Sequence, residues 1–281
     1  MDNLVRGLAE DAWVVDIGAG PGSFDYGSTR AHVLSIDLAF PDVSRHKDGS
    51  ALSPADRLPL PDEVADVVVC NHSLEHFPNP GTALAEVDRV LKPNGLCWIA
   101  IPDGHSLDDR LYRFLFAGGG HLSRFSIESF LQTLHAVTEL NLVSFKSLYS
   151  GFVYLAPPSR DRLRHYPQPA RALFSVGPSR VVRFFARWLA HLTRLTDRLL
   201  GTHASRYGWG FVLQKSPVGP EVRRMPHYVN VCIGCGAGHP TETLVPERGH
   251  LGLVSSYRCP SCGTRNLFVR WADQPEGAGK I

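Results

Sequence analysis

The chain has 281 residues, 43% of them hydrophobic and 20% charged, with 29 Lys and Arg against 27 Asp and Glu. That length accommodates one large domain and a small one, and the composition excludes global disorder and a secreted disulfide scaffold. MDNLVRGLAE has no apolar signal core and no run approaches the ~20 apolar residues of a membrane span, so the sequence predicts a cytoplasmic protein.

In chain order, AWVVDIG (12–18) and HVLSID (32–37) are short, β-branched apolar runs, and VADVVVCN (64–71) and GLCWIAIP (95–102) repeat the pattern. Nearly continuous apolar runs suit parallel strands buried on both faces. Between the last two, Ala83, Leu84, Val87, Val90 and Leu91 fall on one helical face, and Pro93-Asn94-Gly95 is expected to end that helix. SIESFLQTL (126–134) reads as a second helix, with Ser126 as N-cap and Ser129, not glutamate, three residues on. LNLVSFKSLYSGFVYL (140–155) and GWGFVLQ (208–214) are strand-like. Alternating strands and helices imply an α/β, doubly wound, mostly parallel sheet. From Pro157 the pattern changes, and PSRVVRFFARWLAHLTRLTDRLLG reads as one long helix with Ser179 as N-cap and Gly201 just past its end. The expected organisation is a domain over 1–217 carrying a basic helical insertion over 158–206, a cysteine-containing unit over 226–272, and a frayed tail over 273–281.

The first strand runs into Gly18-Ala19-Gly20-Pro21-Gly22. A dinucleotide fingerprint would place a third small residue where Ser23 stands, and no Lys-Ser/Thr pair follows, which excludes a P-loop. Asp16, two residues before Gly18, would repel a diphosphate and suit a cation. Asp37 ends the next strand nineteen residues after Gly18, where a carboxylate can accept both ribose hydroxyls. S-adenosylmethionine, which is phosphate-free and carries a sulfonium and an ammonium, meets these constraints.

These segments together resemble the class I S-adenosylmethionine-dependent methyltransferases of the methyltransferase 11 type. VVDIGAGPG is similar to their glycine motif, SIDL to their acidic second motif, ADRLPLPDEVADVVVCNHSLEHFPNP to the loop, fourth strand and turn, and ALAEVDRVLKPNGLCWIAIP to the helix and fifth strand. HLSRFSIESFLQTL resembles a later helix of the family. The resemblance implies a Rossmann-like fold and S-adenosylmethionine as cofactor. By that resemblance Asp16, Gly18, Ala19, Gly20 and Gly22 line its methionine side, Asp37 and Leu38 hold ribose and adenine, and Asn71 and His72 stand beside it. The family's Gly-Asp-Ala element aligns with Ser53-Pro54-Ala55, so Asp56 is the substitute acid for the adenine amino group.

Methyl transfer from a sulfonium needs a base only when the acceptor must lose a proton early. His76, His72 and His121 are the candidate bases, and Glu75, Asp103, His105 and Arg124 also sit where loops leave strand ends. For each histidine a structural or surface role competes with that of a base.

Cys232-Ile-Gly-Cys235 and Cys259-Pro-Ser-Cys262 are two CxxC knuckles, each followed by glycine. Four thiolates at this spacing can close a tetrahedral, structural Zn2+ site, and the pattern resembles a zinc ribbon. Two disulfides or a redox pair are the competing readings, while His227, His239 and His250 are left unassigned to metal.

Between Arg160 and Arg206 ten arginines stand against Asp161 and Asp197. In 180–200, Arg180, Arg183, Arg187, His191, Arg194 and Arg198 form one stripe beside a broad apolar side. Three readings stand: a cap over the sheet edge with its apolar side down, an interfacial helix making peripheral contact with an anionic membrane, and a phosphate-tracking face for RNA. The expected function is methyl transfer to a small-molecule, glycan or lipid-linked acceptor on oxygen, nitrogen or carbon. The alternatives are an RNA methyltransferase that holds its substrate with the basic helix and zinc ribbon, and a non-catalytic adaptor; no Asn-Pro-Pro-Tyr-like element stands at Asn71-His72-Ser73-Leu74, which argues against base amino-group methylation.

Overall fold

The computed structural model describes residues 1–39, 47–155, 166–175, 179–215, 229–232, 238–240, 243–248 and 255–268. A short helix α1 (Asp2–Arg6) precedes strands β1 (Trp13–Ile17), β2 (His32–Asp37), β3 (Gly49–Leu52) and β4 (Ala65–Asn71). Helix α2 (Pro80–Val90), strand β5 (Leu91–Pro102), helices α3 (Leu107–Leu115) and α4 (Ile127–Val137), and strand β6 (Leu140–Tyr149) follow. Helices α5 (Gln168–Ser175) and α6 (Ser179–Leu200) lead to β7 (Arg206–Lys215).

These seven strands form one sheet in the order β3-β2-β1-β4-β5-β7-β6. Strands β1 to β5 are parallel, and β7 runs antiparallel to both its neighbours. The order reverses between β1 and β4, so the loops leaving their carboxyl ends part and open a crevice. Alternation along β1 sends Val15 and Ile17 into a core with Leu84, Val87, Phe130 and Phe211, where α2 and α4 cover the sheet. Val14 points the other way, into a smaller core with Val5, Tyr26, Val67 and Trp98. On this second face the β1–β2 connection carries a 3-10 turn (Tyr26–Ser28).

Two local expectations change. Helix α2 stops at Val90, and Leu91 opens β5, so Pro93-Asn94-Gly95 lies inside the strand rather than after the helix. There the pairing with β4 shifts between Ala65 and Val67, and Asn94 adopts φ 64°. At the start of α4 the serines complete a reciprocal box: Ser126 Oγ accepts from Ser129 N at 3.1 Å, and Ser129 Oγ accepts from Ser126 N at 2.9 Å. A serine hydroxyl thus does the work usually given to glutamate.

Helix α6 is anchored by small residues. Val182, Ala186 and Ala190 pack against Phe152, Ala170 and Phe174, and Thr193 and Asp197 share the buried side. The buried Asp197 carboxylate accepts from Thr202 Oγ1 (2.5 Å), Ala204 N (2.6 Å) and Ser205 N (2.8 Å), which ties the end of the helix to the start of β7. Gly201, at φ 67°, follows the last turn as expected. The expectation of an apolar side turned down is overturned: Phe184, Phe185, Trp188 and Leu195 are 64, 59, 53 and 51% exposed. Small side chains let this helix approach closely, and its bulk is left outside.

The C-terminal part pairs β8 (Val229–Val231) with β9 (Gly238–Pro240), and β10 (Glu247–Arg248), β11 (Ser255–Arg258) and β12 (Arg265–Leu267) form a separate antiparallel sheet. Tyr149 Oη donates to the Cys232 carbonyl at 2.9 Å and joins this part to the end of β6. The expected boundary at 216–217, the first residues of the insertion and the tail over 273–281 lie outside the described residues. Among the described residues no helix is long and apolar enough to cross a membrane.

Candidate active site

The glycine turn is built by one close approach. Gly18 sits at φ 68°, and a Cβ on it would lie 2.3 Å from Ser73 Cβ. Ser73 Oγ donates to the Ile17 carbonyl at 2.9 Å, which clamps the end of β1 to the loop after β4. Gly18 N and Ala19 N both donate to the Ile36 carbonyl, and Gly20 N donates to Asp37 Oδ2 at 2.7 Å. Asp37 therefore holds the turn and faces the crevice at once.

Asp16 does something different from what its position in the sequence implied. Its carboxylate is fully buried and accepts from Ser23 N (3.0 Å), Ser23 Oγ (2.7 Å) and Tyr26 Oη (2.6 Å). It braces the far side of the turn and is not on the cavity wall. Burial and the adjacent carboxylate drive the Tyr26 phenol up, so it stays protonated and donating.

A cavity of about 430 Å3 opens at the carboxyl ends of β1, β2 and β4. Gly18, Asp37, Leu38, Asp56, His72 and His76 are on its wall, and among the described residues no Lys or Arg is. Among the expected cofactor residues, Ala19, Gly20 and Gly22 shape the turn without lining the cavity. Asn71 is turned elsewhere: its Oδ1 accepts from Trp98 Nε1 at 3.2 Å.

The three candidate histidines meet around the turn after β4. His72 adopts φ 56°, and its Nε2 lies 2.8 Å from Tyr207 Oη. Burial pushes the Tyr207 phenol up to about 12 and His72 down to about 4. The phenol therefore donates, and the basic lone pair of a neutral His72 is already taken. His76 and His121 meet edge to face with ring centroids 4.8 Å apart. His76 Nδ1 is 2.9 Å from the Gly120 carbonyl, and burial lowers its pKa. His121 Nδ1 is 2.9 Å from Asp109 Oδ1, while Arg113 Nε donates to Asp109 Oδ2 at 2.5 Å. Below them the Glu75 side chain is 2% exposed, and burial pushes its carboxyl up to about 8.

Asp109, Arg113 and Tyr207 were not singled out from sequence, since each reaches the site from a remote element. One signal was present. Ala117-Gly118-Gly119-Gly120 holds four consecutive residues at positive φ, the bend that returns His121 to His76. The other candidates stand apart. Asp103 accepts from Arg206 Nη2 at 3.2 Å, and His105 and Arg124 border a separate surface depression.

At the C-terminal part, the sulfurs of Cys232, Cys259 and Cys262 lie within 4.8 Å of one another, while Cys235 lies outside the described residues. Cys70 and Cys97 are buried free thiols in the sheet. Cys259 N donates to the Thr264 carbonyl and Gly263 N to the Cys259 carbonyl, a tight knuckle with Gly263 at φ 73°. His239 Nε2 lies 3.1 Å from Cys259 Sγ, although the sequence left it unassigned.

Residues 15–99 match the family described as methyltransferase domain. The malonyl-[acyl-carrier protein] O-methyltransferase of Yersinia pestis is 30% identical over 103 residues, covering 34% of this chain and 39% of that protein. The ubiquinone biosynthesis O-methyltransferase of Hahella chejuensis is 35% identical over 92 residues, 28% of this chain and 39% of that protein. The matches span about two fifths of the length of the curated relatives. A SAM-dependent methyltransferase structure from Archaeoglobus fulgidus aligns at TM-score 0.48 and 17% identity, over 76% of this chain and 89% of its own.

Proposed function

We propose that this chain transfers a methyl group from S-adenosylmethionine to a small-molecule, glycan or lipid-linked acceptor. The observation that carries this reading is the cavity wall: Gly18 without a side chain, carboxylates at Asp37 and Asp56, and no Lys or Arg among the described residues. Such a wall disfavours a diphosphate and suits an adenosine ligand bearing positive charge. A volume of about 430 Å3 falls in the range of small-molecule sites. Asp37 is at the β2 end where ribose hydroxyls would be held, Leu38 and Phe77 supply apolar walls, and Asp56 stands in for the adenine contact.

Bound there, S-adenosylmethionine supplies an electrophilic methyl on a sulfonium. The chain's part is alignment and exclusion of water. The Tyr207–His72 contact stiffens the wall in a neutral form. Asp16, through Ser23 and Tyr26, keeps the turn in the shape that receives the ligand. Calorimetry is the test: the wild-type chain should bind S-adenosylmethionine and Asp37→Ala should weaken binding at least tenfold. Absence of binding, or preference for NAD, would overturn the reading.

The cysteine cluster supports a structural zinc held by Cys232, Cys259, Cys262 and, from its CxxC spacing, Cys235. The exposed side of α6 supports peripheral contact with an anionic membrane. Val181, Phe184, Trp188, Leu192, Leu195 and Leu199 recur every three or four residues on one outward stripe, with Arg180, Arg183, Arg187, Arg194 and Arg198 each one residue before a member of it. Co-sedimentation with phosphatidylglycerol vesicles should exceed that with phosphatidylcholine. It should be lost in both Trp188→Ala/Phe184→Ala and Arg183→Glu/Arg187→Glu/Arg194→Glu. Equal sedimentation with both lipids, or salt-sensitive RNA binding without vesicle binding, would refute it.

A further inference from the structure

Beside the cavity lies a set of ligand atoms that binding of the methyl donor does not use. One carboxylate oxygen of Glu75 and one ring nitrogen each of His76 and His121 lie within 4.8 Å of one another. They come from two segments locked together, since Leu122 N and Ser123 N both donate to the Glu75 carbonyl, at 2.8 and 3.1 Å.

The protons on both rings follow from their partners. The Gly120 carbonyl can only accept, so the hydrogen of His76 is on Nδ1 and Nε2 is left as a bare lone pair. Asp109 is held at its other oxygen by the Arg113 guanidinium and likewise accepts from His121 Nδ1, which leaves Nε2 of that ring bare. A carbonyl and a carboxylate behind the two rings are the outer partners that orient metal-binding imidazoles and raise their basicity. The third member is the Glu75 carboxyl, whose Oε2 is buried with no hydrogen-bond partner among the described residues. A buried polar atom left unpaired is costly and calls for an explanation.

We propose that Glu75, His76 and His121 form a binding site for a divalent transition metal. Two imidazoles and one carboxylate favour zinc or iron(II) over magnesium or calcium, and three protein ligands leave coordination positions open. Metal–ligand bonds of about 2.0–2.2 Å bring such ligands closer together than they stand here, a contraction that side-chain rotation supplies. His76 is also on the cavity wall, so an open position is next to the space for the acceptor.

Its use rests on the methyl-transfer reading and narrows the acceptor to a hydroxyl compound. An acceptor hydroxyl on the metal loses its proton to water. The resulting oxyanion forms the O–CH3 bond as the S–CH3 bond breaks, and the sulfonium leaves as the neutral thioether S-adenosylhomocysteine.

The test is Co2+ retained by the full chain after dialysis, read by elemental analysis and visible absorption. Because the tail thiols also take Co2+, the key sample is Cys232→Ser/Cys235→Ser/Cys259→Ser/Cys262→Ser. It should keep one equivalent with d–d bands and no thiolate charge-transfer band, and adding His76→Ala/His121→Ala should abolish it. If the cysteine variant does not fold, His121→Gln in the otherwise native chain should lose one equivalent relative to wild type. Folded cysteine variant without Co2+, or His121→Gln with undiminished Co2+, overturns the site. S-adenosylmethionine calorimetry on the same samples separates the two readings: intact donor binding without metal sinks only the metal site, and absent donor binding sinks methyl transfer.

Discussion

Gly18 is where a single atom matters most. A methyl group there would overlap Ser73 and sit on a backbone at φ 68°. Gly18→Ala should cost about 2–4 kcal/mol, overpacking and left-handed strain together. Urea unfolding measures that loss, and donor binding should fall with it. Ser73→Gly removes the overlap together with the Ser73–Ile17 hydrogen bond and leaves the strain, so Gly18→Ala should cost less in the Ser73→Gly chain than in the wild type. No cost at all in that chain would mean that φ contributes nothing; an undiminished cost would mean that Ser73 was not the obstacle.

At the scale of elements, the loop that carries Asp56 is held by α2. Arg89 donates to the Leu58 and Leu60 carbonyls, to Asp62 and to Glu86, and Glu86 Oε2 accepts from Leu58 N at 2.7 Å. The Arg89 hydrogen bonds hold the Glu86 carboxyl below its usual range. A depressed carboxylate stabilises the fold fully above its unfolded-state pKa, ~4.3, and that stabilisation is lost as pH falls through the lower folded value. Glu86→Gln should therefore cost about 1–2 kcal/mol at pH 7, with the gap from wild type shrinking toward pH 3. Unfolding curves at the two pH values check the sign, and a gap that widens in acid would contradict it. The same substitution should weaken donor binding several-fold, because the loop bearing Asp56 loses its clip.

For the molecule as a whole, the C-terminal part leans on the sheet domain through Tyr149, and among the described residues its core is small, around Cys232, Leu244, Tyr257 and Cys259. The proposed zinc would add to that apolar burial. Chelation should speed hydrogen exchange in β11 and β12 while β1 and β4 stay protected. Uniform loss of protection would show one cooperative unit, and no change would argue against zinc. Helix α6 gives the opposite case: its anchoring side is complete, and the unsatisfied apolar surface is its outer one.

Sequence alone determined the strands at the centre of the sheet, because runs such as Val67–Cys70 and Cys97–Ile101 are apolar on both faces and can be little else. It also determined the glycine turn, the position of Asp37 and the Cys259–Cys262 knuckle, all of which are local spacings. It did not reveal β3, whose Gly-Ser-Ala-Leu is too short and mixed to carry a period. It turned Asp16 toward the ligand, and one of its three readings of α6 turned the large side chains toward the core. Both inferences rest on what a residue prefers in isolation, and neighbours decided otherwise: Ser23 and Tyr26 captured the carboxylate, and Ala186 and Ala190 allowed an approach that Phe184 and Trp188 would block. The meeting of Glu75 and His76 with His121 belongs to the tertiary structure alone, because the connection between them passes through β5, α3 and a left-handed bend. Periodicity records which face of an element is apolar; it holds no information about which distant side chains share a few cubic ångströms.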